Sequence, residues 1–147
     1  MDLTREYLLW RLGILKRPEI IALVDKEILS VENPPIDLID ISTSSSCDSY
    51  SFDLLLAPFV DRSSFTADRL LPIVVDAVRA TPVNSASALI AALQWMIYDL
   101  KVSTPDAPLG ALYYNLDHLV NDAIPDGYAS NADVNSFIQN WLRNLAA

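Results

Sequence analysis

Glycine is scarce, with only Gly13, Gly110 and Gly127 in 147 residues. A phosphate-cradling loop or a dinucleotide fingerprint needs several glycines at close spacing, so both are excluded. The single cysteine, Cys47, excludes an intramolecular disulfide. One cysteine and one histidine, His118, leave too few nitrogen and sulfur donors for the usual zinc site. Bases are also short, with 10 lysines and arginines against 19 acids and a formal net charge of −9. Nucleic-acid binders gain affinity by releasing counterions at basic contacts, so DNA or RNA binding is not expected. The longest apolar run, residues 86–100, is interrupted by Ser87, Gln94 and Asp99. It falls short of the roughly 20 residues needed to cross a bilayer, and reads as a buried helix. The opening Met1-Asp2-Leu3-Thr4-Arg5-Glu6 leads from no basic stretch into an apolar run. No secretory signal is expected there, and the expected location is the cytoplasm.

What the chain does have is apolar content, 52% hydrophobic against 20% charged residues. A chain of this length can bury roughly 70% of its unfolded surface, enough for a core without staples. The expected architecture is all-α, one compact domain over residues 1–147. About seven helices would form antiparallel hairpins around a central apolar helix.

A first helix over residues 3–12 starts at Asp2 and ends at Gly13, with Ile14 folding back toward Leu9. A second begins at Pro18 with the apolar stripe Ile20, Ile21, Val24, Ile28 and Val31, and pairs with the first as a hairpin. Asn33-Pro34-Pro35 ends it and opens a short helix over 36–41. Residues 42–51 read as a polar loop, and Pro58 should kink or end the apolar stretch 52–60. Residues 61–65 form a turn. Asp68 would then cap a helix to Ala80, keeping Pro72 in its first turn. Residues 81–85 connect, with Pro82 and an Asn84 or Ser85 cap. Residues 86–101, apolar nearly all round, supply the central helix. Leu109, Leu112, Tyr113, Leu116, Leu119, Val120 and Ala123 mark the next. After the turn Pro125-Asp126-Gly127, Ser130 and Asp133 resemble a capping box before a last amphipathic helix.

Charge is unevenly spread. Residues 36–61 hold Asp37, Asp40, Asp48, Asp53 and Asp61 and no base. Residues 102–147 hold Asp106, Asp117, Asp122, Asp126 and Asp133 with only Arg143. Such zones keep a protein dispersed, and they can also steer a basic partner onto a chosen face. Tyr113 and Tyr114 project about 100° apart on a helix, so if one packs inward the other lies outward. Tyr114 among Asp117 and Asp122 would then anchor and steer at once.

No catalytic constellation emerges. His118 is of the residue type most used as a general base, but no G-x-S-x-G nucleophile accompanies it. It reads as a surface histidine, four residues from Asp122 on one helical face. Cys47 lies between Ser46 and Asp48, where negative charge opposes thiolate formation. Asp117, Asn121, Asp122 and Asp126 offer oxygen ligands, yet their spacing does not match a calcium loop. Neither a metal nor a cofactor is expected.

Three stretches carry a resemblance. Leu12-Gly13, the run Ile20-Ile21-Ala22-Leu23-Val24-Asp25-Lys26-Glu27-Ile28-Leu29, and Pro34-Pro35-Ile36-Asp37-Leu38-Ile39-Asp40-Ile41-Ser42 together resemble the opening of small acidic bacterial toxin-immunity proteins. The resemblance covers the first 42 residues, and its motifs are structural. It implies a cytosolic, non-enzymatic inhibitor that binds a toxin through an acidic surface. On this reading Asp37, Asp40, Asp48, Asp53, Asp106, Tyr114, Asp117, Asp122 and Asp126 would meet a basic protein partner, such as a nuclease. The alternatives are a self-associating structural or adaptor module and a small enzyme using His118.

Overall fold

The computed structural model describes residues 1–80 and 86–146. The connection expected at 81–85, with its Pro82 and Asn84 or Ser85 cap, lies outside the described residues. The fold is all-helical, and no strand occurs among the described residues. The helices are α1 (Thr4–Arg11), α2 (Arg17–Ser30), α3 (Ile36–Ser42), α4 (Ser49–Leu56), α5 (Ala67–Ala80), α6 (Ala86–Gln94), α7 (Pro108–His118) and α8 (Asn131–Ala146). The chain divides into two compact units, Met1–Ser64 and Phe65–Ala147.

In the first unit, the Asp2 carboxylate accepts the Thr4 N–H at 2.9 Å and the Thr4 hydroxyl at 2.6 Å, which starts α1. Gly13 has φ 75°, the left-handed exit that glycine adopts without strain. The Ile14 N–H then donates back to the Leu9 carbonyl at 2.9 Å. Glu19 reaches back to accept the Lys16 N–H at 2.7 Å and opens α2. Of the stripe expected on α2, Ile20 and Val24 are fully buried, and Ile21 and Ile28 are half-buried. Val31 lies past the helix end in extended backbone and is exposed. α3 packs against α2 and α4, burying Leu38 and Ile41.

The polar loop expected over 42–51 is shorter than its composition suggests. Ser42 closes α3, and α4 already begins at Ser49. The reason is a cap: the Asp48 carboxylate accepts the Ser51 N–H at 2.6 Å. Phe52 and Leu56 then enter the core, and Pro58 turns the chain into a 3₁₀ segment as expected. Arg17 ties the remaining loop down. Its guanidinium lies 4.7 Å from the Phe52 ring centroid, and its Nη1 donates to the carbonyls of Ser44 (3.4 Å) and Cys47.

In the second unit, α5 begins one residue before the expected Asp68 cap. The Leu70 N–H donates to the Thr66 carbonyl at 2.9 Å, and Asp68 becomes a first-turn acid. Pro72 therefore lies inside the helix rather than in its first turn. Its missing N–H leaves the Asp68 carbonyl without an intrahelical donor. Asp68 and Pro72 are both solvent-facing, so water can take that place. α5 buries Leu70, Val74, Ala77 and Val78.

α6 runs into a π-helical turn at Trp95–Asp99, closed by the Leu100 N–H on the Trp95 carbonyl at 3.1 Å. Leu89, Ile90, Ala92, Leu93, Met96 and Ile97 are buried, and Phe65 meets Trp95 edge-on at 5.6 Å. The helix is not buried all round: Ser87, Ala88, Ala91, Gln94 and Tyr98 form an exposed stripe. α7 packs against α5, α6 and α8, and passes into a second π-helical turn at Leu119–Ala123. The Trp141 indole N–H of α8 donates to the Pro108 carbonyl at 2.8 Å. The Asp133 carboxylate accepts the Ser130 N–H at 2.7 Å, the reach-back half of the expected capping box.

Candidate functional site

The nine residues nominated from the sequence fall into two sets, one in each unit. In the first unit, Asp37 and Asp40 lie exposed on α3 and meet no cationic side chain of that unit among the described residues. Asp48 is exposed but already serves α4 as its cap. The backbone and hydroxyl of Ser51 both favour its charged form and hold its pKa below the ordinary aspartate value. Asp53 is engaged more deeply. Its Oδ1 lies 3.5 Å from Arg11 Nη2, and Arg11 Nε donates to the Tyr7 hydroxyl at 3.1 Å. Burial, then the hydrogen bond with Asp53, raises the Tyr7 pKa. Asp53 thus joins α4 to α1, while Asp37 and Asp40 keep their charges directed at solvent.

In the second unit, α7 carries Tyr113, Tyr114 and Asp117, Asp106 precedes it, and Asp122 and Asp126 follow it. Tyr113 is buried at 5% exposure and Tyr114 is exposed at 38%, the division expected of neighbouring helical positions. Their rings lie 5.0 Å apart at 64°. Asp117 is half-buried, one turn beyond, and accepts the Asn121 amide at 2.7 Å. Asp106, Asp122 and Asp126 are exposed. Burial first, then repulsion from Asp117, raises the Tyr113 pKa, which places that carboxylate within electrostatic reach of the phenol.

Sequence reasoning missed Tyr98, which completes the cluster. Its ring meets Tyr113 at 5.9 Å and 88°, and its hydroxyl lies 3.3 Å from the Tyr114 hydroxyl. It was hidden in a segment read as core. The signal lay in the small and polar spacing of Ser87, Ala91 and Gln94, which places position 98 on the solvent side of the same helix.

His118 is exposed, with Nδ1 3.4 Å from Asp122 Oδ2, as the helical spacing predicts. Cys47 is half-buried, and its sulfur lies 3.8 Å from Arg17 Nη1 rather than beside acids alone. Among the described residues no cluster of three or more His, Cys, Asp or Glu could hold a metal ion. No helix among them is long and apolar enough to cross a membrane. A cleft of about 380 Å³ lies along α2, lined by Arg17, Pro18, Ile21, Ala22, Asp25 and Ser45. Its two charged residues already have partners, Arg17 in the loop carbonyls and Asp25 in the Ser42 hydroxyl.

No family model matches the chain, and neither the curated proteins nor the solved structures contain a match to it.

Proposed function

We propose that this is a non-enzymatic protein-binding protein of the bacterial cytoplasm, an immunity protein that neutralises a basic toxin through its acidic surface. The observation that carries the reading is the exposed Tyr114 with Asp117 three residues on along α7, in a unit that also exposes Asp106, Asp122 and Asp126. An exposed aromatic supplies contact area at low entropic cost, and carboxylates around it select and steer a cationic surface. The opening 42 residues, with their resemblance to acidic immunity proteins, support the same reading. A toxin that cleaves nucleic acid must attract phosphate, so its active site offers a fitting basic surface.

The test uses the full chain immobilised and a cationic ribonuclease as probe. Capture is expected at low salt, with loss as ionic strength rises, and the double variant Asp117→Lys/Asp122→Lys should capture little at any salt. Equal capture by the parent and the double variant would remove the site assignment.

A second reading has its own observation. Leu23 and Leu29 of α2 and Ile36 and Ile39 of α3 are exposed, Leu29 at 88%. Exposed apolar side chains on two packed helices suit self-association. Sedimentation over a hundredfold concentration range separates the two: a constant monomer favours the inhibitor, and a concentration-dependent dimer favours the module.

A further inference from the structure

We infer that Tyr98, Tyr113 and Tyr114, together with Asp117, form a seat for the guanidinium of an arginine presented by a basic partner protein. The inference rests on the reading of the chain as a binder of basic proteins and names what that surface recognises. Three observations build the seat. Tyr98 and Tyr114 are exposed at 51% and 38%, and they project from different helical segments. Their hydroxyls lie 3.3 Å apart, which brings the two rings side by side at the surface. Tyr113 stands behind them, edge-on to Tyr98 at 88° and buried, so the exposed rings rest on a rigid base.

Tyr98 continues the exposed stripe of Ser87, Ala91 and Gln94 and lies within the π-helical turn at Trp95–Asp99. Such one-turn insertions recur at functional positions. Here the turn keeps Trp95, Met96 and Ile97 in the core while Tyr98 and Asp99 face out.

Charge complementarity selects the occupant. A cation lies favourably over a tyrosine face. Asp117, three residues beyond Tyr114 on α7, sits one turn along on the same side of the helix. Its Oδ1 is held by the Asn121 amide, which orients the carboxylate. A planar guanidinium can stack on a ring and offer a fork of N–H donors to a neighbouring carboxylate. An ammonium is a compact point charge and cannot do both with one planar group, so arginine should be preferred to lysine.

The experiment titrates the intact chain with two nonapeptides of equal charge, one all-arginine and one all-lysine, reading tyrosine ring signals by NMR and affinity by calorimetry. The arginine peptide should bind more tightly and shift the Tyr98 and Tyr114 ring signals. Tyr98→Leu should weaken it by about 3- to 30-fold, the range expected for a lost cation–ring contact. Tyr98→Phe, which retains the ring face, should preserve most of the affinity, and Asp117→Asn should erase the preference for arginine. Equal binding of the two peptides, or binding indifferent to Tyr98→Leu, overturns the seat. If that binding still falls with salt and with Asp122→Lys, the broader acidic-surface reading survives. If neither peptide binds, both fail. A Tyr98→Leu change that alters the chain's own sedimentation assigns the face to a second copy and overturns the inference.

Discussion

Lys101 follows the π-helical turn of α6 with φ 54°, a left-handed conformation that costs an L-residue roughly 1–2 kcal/mol. Glycine at this position should relieve the strain. Lys101→Gly is therefore expected to raise stability by about 0.5–1 kcal/mol in urea unfolding, after allowing for glycine's looser unfolded chain. Gly110 presents the opposite case. A β-carbon there would lie 1.9 Å from the Thr104 carbonyl oxygen, which is backbone and cannot swing aside. Gly110→Ala should destabilise by about 2–3 kcal/mol, read in the same titration. The requirement at Gly110 comes from close approach, because its φ lies outside the left-handed region.

At the scale of the elements, caps and their charges set a pH dependence. Asp48 and Asp2 both have lowered pKa values, Asp48 through the Ser51 backbone and hydroxyl and Asp2 through the Thr4 hydroxyl and N–H. A depressed carboxylate pKa adds stability above the unfolded value near 3.9, and that contribution is lost as pH falls through the folded value. Thermal unfolding followed from pH 6 downward should show this loss. Asp48→Asn should reduce the acid-dependent part while keeping the cap at neutral pH, since asparagine also caps well. The phenols act at the other end. Tyr7 and Tyr113 are raised chiefly by burial, and Tyr114 chiefly by its hydrogen bond with Tyr98. Their contribution is complete below the free phenol value near 10 and is lost as pH rises through the folded values. The melting temperature should fall above that point, and less so in a Tyr114→Phe variant.

The helices themselves were legible because apolar spacing and proline punctuation agreed. Gly13, Pro58 and the Pro125-Asp126-Gly127 turn sit where local chemistry placed them. What escaped the reading had identifiable causes. Serine-rich composition hid the start of α4, because one aspartate cap outweighs weak local propensity. Pro72 drew the expected start of α5 inward, although an exposed carbonyl tolerates the missing donor. The π-helical turns left no signature in the periodicity, and the apolar majority of residues 86–101 masked the outward position of Tyr98. Tyr114 was legible as an outward tyrosine, because neighbouring positions on a helix must diverge. The engagement of Asp53 with Arg11 was not legible, since 42 residues separate the pair in sequence.

For the whole molecule, the decisive property is a net charge of −9 carried in two acidic stretches, one within each compact unit. Excess charge of this size keeps a small protein dispersed, and it also sets a long-range field that accelerates encounters with cations. The two roles separate kinetically. Dispersal by net charge is indifferent to where the aspartates lie, whereas steering depends on the face at which the partner arrives. The most direct test is the association rate of the intact chain with a cationic ribonuclease, measured by stopped-flow from low to physiological ionic strength. The account predicts a fall of about tenfold or more across that range, strongly flattened in the Asp117→Lys/Asp122→Lys variant. A rate unchanged by salt and by that double reversal would contradict it.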